Sequence, residues 1–179
     1  MAAFGADILH EGNLASDQDE YTFNQPEVRQ AYEFLRKMYD QGCAWMPENP
    51  YPETHFAQRK ALFASGSVTD IPFFLDAMQR TGNNDAWTVL AYPGPDDARA
   101  IDVYGTAFQV LKSSEKQQLA AWLLIKWLLQ PDNQARLLQT THSFPLRRSS
   151  VQAGGESSAW EAAVDLLQFA QVEPALRSW

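Results

Sequence analysis

The chain has 179 residues, 45% of them apolar and 20% charged, which is ordinary globular composition and excludes disorder over most of its length. A chain of this size buries roughly 70% of its unfolded surface and needs no staples. Lys plus Arg number 14 and Asp plus Glu 22, a net charge of −8, which argues against a nucleic-acid partner, because phosphate backbones call for a basic surface.

Six carboxylates lie within residues 1–28, with no Lys or Arg before Arg29. Residues 1–25 are polar and weakly periodic, with room for a short strand between Phe4 and Leu9. Asn24 and Glu27 form a capping pair, and Pro26 suits a first helical turn. Val28, Ala31, Tyr32, Leu35, Met38 and Tyr39 then follow helical spacing as far as Gly42, with Arg29, Glu33, Arg36 and Lys37 facing water. Pro47, Pro50 and Pro52 make residues 43–55 a loop. A second helix is expected from His55 to Ala64, ended by Gly66.

Val68 to Phe74 is apolar with Pro72 inside it, so an irregular or edge segment is expected there. A short helix follows at Asp76–Arg80, then strands at Trp87–Tyr92 and Ile101–Leu111, the second partly buried on both faces of a parallel or mixed sheet. Ser114 and Gln117 spell a capping box. The helix beyond them, through Leu129, is apolar almost all round, so burial on more than one face is expected, with Trp122 and Trp127 in the core. Pro131 stops it, and Asp132 is expected to cap a short helix through Gln139. Residues 141–151 are a loop around Phe144-Pro145, and a last helix carries Trp160, Val164, Leu167 and Phe169 to a stop at Pro174.

Residues that do chemistry are sparse. His10, His55 and His142 are far apart, with no i, i+4 pair for a metal. Cys43 is the only cysteine, which excludes an internal disulfide and a cysteine zinc site, and a buried inert thiol is expected. Ser65-Gly66-Ser67 lacks the flanking pattern of a nucleophile elbow, and Asp96-Asp97 sits in a turn-rich, solvated loop. No phosphate-binding glycine loop, carboxylate pair or triad is present, so neither enzyme activity nor a cofactor is expected. The longest apolar stretch, Leu119–Leu129, is interrupted by Lys126 and is too short for a bilayer core of about 30 Å. No basic segment followed by an apolar one opens the chain, so no export signal is expected in it.

What remains is aromatic: 6 Trp, 6 Tyr and 10 Phe. Four places stand out from ordinary core positions. Phe73-Phe74 follows Pro72; Tyr104-Gly105-Thr106 sets a glycine within an expected strand; Phe144-Pro145 has Arg147 and Arg148 behind it; Trp179 lies beyond a proline. Ligand pockets combine apolar walls with a few polar groups at such junctions, and structural packing accounts for each place equally well.

These places sit within a longer pattern. Tyr21-Thr22-Phe23-Asn24-Gln25-Pro26-Glu27, Phe56-Ala57-Gln58-Arg59-Lys60-Ala61-Leu62-Phe63, Trp87 to Pro95, and Val103-Tyr104-Gly105-Thr106-Ala107-Phe108-Gln109-Val110 come in order. Ala120-Ala121-Trp122 through Pro131-Asp132-Asn133-Gln134, and then Phe144-Pro145-Leu146-Arg147, complete it. Together they resemble the C-terminal half of an extracellular solute-binding protein, family 1, of the ABC sugar-importer and glycerol-3-phosphate type. Arg59 stands where that family usually has glycine.

The resemblance implies an α/β fold of the periplasmic-binding-protein (type II) kind, truncated to most of the C-terminal lobe and the hinge-crossing segment. Residues 1–104 would belong to the C-terminal lobe, 105–142 would cross the hinge and pack on an N-terminal lobe, and 143–179 would return. It implies a solute, an oligosaccharide or a polyol phosphate, held between lobes by hinge closure and passed to ABC permease subunits in the membrane. It implies an extracellular or periplasmic location, with a lipoprotein anchor in the full-length form. Ligand-facing residues carried over are Ser67, Thr69, Phe73, Phe74, Tyr104, Gly105, Phe144 and Trp179, with Arg147, Arg148 and Arg177 available to a phosphate. The apolar helix near residues 114–130 would lose its cover without the other lobe, and self-association would follow. The alternative is a non-enzymatic α/β protein-interaction domain without a small-molecule ligand, its aromatics all core.

Overall fold

Helix starts follow proline and hydroxyl placement. A computed structural model describes residues 1–7, 9–10, 20–105, 107–147, 149–151 and 157–172. Its helices are α1 (Pro26–Asp40), α2 (Glu53–Ala57), α3 (Ile71–Thr81), α4 (Glu115–Leu128), α5 (Pro131–Thr141) and α6 (Ser158–Asp165). Its strands are β1 (Leu9–His10), β2 (Glu20–Tyr21), β3 (Tyr92–Pro93), β4 (Arg99–Val103) and β5 (Ala170–Val172). Two compact units result: Met1–Glu48, Leu90–Tyr104 and Leu166–Trp179 in the first, Asn49–Val89 and Gly105–Asp165 in the second.

In the first unit, Gln25 and not Asn24 stands at the N-cap position of α1, without a side-chain capping bond, and Pro26 lies in the opening turn. The helix ends in a left-handed turn at Gly42, φ 71°, where the Gly42 and Cys43 N–H groups donate to Tyr39 and Met38 at 3.0 and 2.9 Å. Cys43, expected buried, is exposed beyond this turn, outside the helical register that buries Val28 and Ala31. Tyr32, Leu35 and Tyr39 remain exposed.

Instead of a strand from Phe4, a 3₁₀ turn at Ala2–Phe4 contacts α1 and β4. Its backbone lies so near Gly94 that a Cβ there would run into the Ala3 carbonyl. β1 and β2 pair antiparallel, Leu9 opposite Tyr21. The order β3-β4-β5 is a mixed sheet, antiparallel at Tyr92↔Ala100 and parallel at Ile101↔Ala170. β4 is half the expected strand, because its partners offer only a few residues on either side. β5, Ala170–Val172, occupies residues expected at the end of the last helix, before Pro174. A 3₁₀ segment at Leu166–Phe169 turns the chain out of α6, and the Arg99 guanidinium lies 5.6 Å from the Phe169 ring centroid.

In the second unit, α2 stops at Ala57, not Ala64, because Arg59 adopts φ 58°. Pro72 lies in the first turn of α3, so the segment expected to be irregular is largely helical. The Ser114–Gln117 capping box opens α4 as expected. Gln130 occupies the N-cap position of α5 without a side-chain capping bond, and Asp132 lies inside the first turn and does not cap it.

The core of this unit is built on two tryptophans. Ile71, Ala159, Trp160 and Ala163 form one buried cluster, with Val68, Trp87, Val89, Phe144 and Val164 against it. Ala57, Ala77 and Met78 form another, with Phe56 and Trp87 against it. None of α4 is buried; Trp122 and Trp127, expected in the core, are 53% and 50% exposed. Among the described residues its chief packing neighbour is α5, so an apolar circumference exceeds the surface available to cover it.

Candidate functional site

The Ser67–Phe73 segment presents hydroxyls and an aromatic ring at the start of α3. Ser67 is the N-cap of a 3₁₀ turn, Val68–Asp70, that runs directly into the helix. Its N–H donates to Asp70 Oδ2 at 2.7 Å. Its Oγ accepts from Thr69 N–H at 3.4 Å and from Thr69 Oγ1 at 3.1 Å. Gly66 leaves room for this, since a Cβ there would stand 3.1 Å from Asp70 Oδ2. Asp70 is the residue that sequence inspection passed over, although Ser67-x-x-Asp70 is a capping-box spacing.

The adjacent phenylalanines divide between surface and core. Phe73 is 61% exposed, whereas Phe74 is 8% exposed. The Phe74 ring packs edge-on against Phe56 at 5.5 Å and tilted against Trp87 at 5.7 Å. One residue of helix rotates the side chain by about 100°, which separates the two roles.

Phe144 joins the same unit from a distant stretch of sequence. It is half-buried and tilted at 36° to Trp160, ring centroids 5.6 Å apart. Trp160 donates from Nε1 to the Val151 carbonyl at 3.3 Å. Because Val68 and Ile71 belong to the Trp160 cluster, the Ser67–Phe73 segment and the Phe144 turn share one foundation. That tryptophan was read from the sequence as an ordinary helix residue.

The remaining candidates lie elsewhere. Tyr104 ends the β4 stretch of the first unit and is 72% exposed. Gly105 follows the strand instead of sitting within it, with open space where a Cβ would be. Arg147 is not idle surface charge: its Nε donates to the Leu129 carbonyl at the end of α4, at 2.6 Å. Trp179, Arg148 and Arg177 lie outside the described residues.

Among the described residues, Arg59 and Asp85 are a pair of charges that shift one another's titration. The hydrogen bond from Arg59 holds the Asp85 carboxyl below its ordinary range and raises the guanidinium in turn. Among the described residues no group of three or more His, Cys, Asp or Glu could hold a metal ion. No helix among them is long and apolar enough to cross a membrane.

Comparison with known proteins agrees with this architecture. The solved structure of the sugar-binding protein MalE from the phytopathogen Xanthomonas citri superposes with a TM-score of 0.72 at 26% identity. The match covers 89% of this chain and 41% of that one. The α/β architecture is thus periplasmic-binding-protein-like, over part of the length of that fold. No curated protein matches the sequence. A family profile described as bacterial extracellular solute-binding protein matches residues 1–167. With nearly its whole length matched, the chain belongs to the bacterial extracellular solute-binding proteins.

Proposed function

We propose that the chain is part of the solute-binding component of an ABC importer, capturing an oligosaccharide or a polyol phosphate between two lobes by hinge closure. The observation that carries this is the Ser67–Phe73 segment, which couples the Ser67 and Thr69 hydroxyls and exposes the Phe73 ring a few residues later, in a member of a solute-binding family. Sugar rings stack on such aromatics, and their hydroxyls take hydrogen bonds from the polar groups alongside. Residues 1–104 and 143–179 would form the C-terminal lobe, and residues 105–142 would cross the hinge. Gly105, free of steric contacts, would lie at that crossing, with Tyr104, Phe144 and Trp179 as further ligand-facing residues. Phe74 would support the site from the core.

The component would bind without catalysis and deliver its solute to the membrane permease subunits. It would work in the periplasm or outside the cell, held by a lipid anchor in the full-length form. The exposed Leu119, Trp122, Leu123, Leu124 and Trp127 of α4 make an apolar surface of the kind that drives association, so the 179-residue chain on its own would self-associate.

The test is thermal unfolding of the complete product of the gene, refolded to remove carried-over ligand, against oligosaccharides and polyol phosphates. A shift confined to one class supports the reading and names that class. No shift with either class sinks it and leaves a protein-interaction domain as the better account.

A further inference from the structure

Gln134 is a side-chain amide buried to 3% exposure near the start of α5. Buried amides require partners. Its Oε1 accepts the Leu146 N–H at 3.3 Å, across 12 residues of sequence. Pro145 has no N–H to offer, so Leu146 supplies the donor by which the Phe144-Pro145 turn is held to α5. Two further bonds tie the same junction to α4. Arg147 Nε donates to the Leu129 carbonyl at 2.6 Å, and Asn133 Nδ2 to the Trp127 carbonyl at 2.8 Å. Both carbonyls stand at the C-terminal end of α4; that of Trp127 also accepts the Gln130 N–H at 3.1 Å.

We propose that Gln134 is a positioning residue for the candidate ligand face. Its acceptor fixes the Phe144-Pro145 turn, and the turn sets where the Phe144 ring stands on Trp160, in the cluster that also supports Val68 and Ile71. Gln134 acts through Phe144 and touches no solute. This role rests on the binding function proposed above.

Two substitutions separate positioning from bulk stability. Gln134→Met keeps volume and removes the acceptor; Gln134→Glu restores an oxygen. The measurements are site-resolved amide exchange and calorimetric titration with maltose and with glycerol 3-phosphate, on the complete gene product. Gln134→Met is expected to speed exchange at Leu146 about tenfold while α3 amides stay unchanged. It is also expected to weaken whichever probe the unaltered protein binds by about tenfold, with part of the loss recovered in Gln134→Glu, whose acceptor returns but whose buried carboxyl adds a cost of its own. Unchanged exchange at Leu146, or an equal rise at all amides, overturns the role. So does intact affinity in Gln134→Met, and that result leaves the binding function standing. If the thermal-shift panel of oligosaccharides and polyol phosphates finds no ligand for the unaltered protein, the binding function fails and this role fails with it.

Discussion

Arg59 grips Asp85 through two hydrogen bonds, Nε to Oδ2 at 2.6 Å and Nη2 to Oδ1 at 3.0 Å. The pair matters because Arg59 occupies φ 58°, a conformation that favours glycine. Its partner lies on the stretch that follows α3, so the pair ties the end of α2 to that stretch. Arg59→Ala keeps the unfavourable backbone and loses the pair, whereas Arg59→Gly loses the pair and relieves the backbone. Arg59→Ala should therefore melt below Arg59→Gly in calorimetry; the reverse order would contradict this account of the turn.

The same pair sets a pH response. The Asp85 carboxyl is held below its ordinary range, chiefly by the hydrogen bond from Arg59. A depressed folded value adds stability above the unfolded value of about 3.9 and loses it as pH falls through the folded one. Asp85→Asn should flatten the melting-temperature profile between about pH 5 and pH 2. Both side chains are more than half exposed, so salt should shrink the difference. An identical acid profile in the variant would refute the assignment.

Asn83 is the buried counterpart of that surface pair, 7% exposed. It donates to the Ala57 carbonyl at 2.7 Å and accepts from Asp85 N–H at 2.9 Å and Arg59 Nη2 at 3.1 Å. Asn83→Ala should cost about 2–3 kcal/mol, since it orphans the last carbonyl of α2 and loosens the Arg59 turn. Chemical denaturation measures this directly, and a loss below about 0.5 kcal/mol, the usual surface value, would show that these bonds are dispensable.

Local signals in the sequence translated well where the partner groups are close along the chain. Ser114 and Gln117 cap α4, and Gly42 ends the turn after α1. Pro72 misled because proline has two opposite meanings: strand breaker and first-turn helix residue. The length of β4 was not legible, because its parallel partner β5 lies some 70 residues away and such pairing leaves no local trace. The Ser67–Phe73 segment and Phe144 were each recognisable. Their common footing on Trp160 was not, since α6 contributes that ring from beyond both.

Phe73 and Phe74 should respond oppositely to truncation. Phe74→Ala removes a ring packed on Phe56 and Trp87 and should cost about 3–5 kcal/mol. Phe73→Ala should change stability by less than about 0.5 kcal/mol while weakening solute binding. Denaturation and titration of both variants check this. A stability loss at Phe73 equal to that at Phe74 would place both rings in the core.

Leu119, Leu123 and Trp127 are all half-exposed or more on α4. Light scattering of the 179-residue chain should find oligomers, and Leu123→Glu should shift it toward monomer. A monodisperse monomer before substitution would remove the self-association proposal.

Solute binding itself is tested most directly by thermal unfolding of the complete gene product with and without each class of solute. A specific ligand at about 100 times its dissociation constant adds about 2.7 kcal/mol, a rise of several degrees. The predicted result is such a rise with oligosaccharides or with polyol phosphates, reduced in Phe73→Ala. A melting temperature unmoved by both classes would contradict the account.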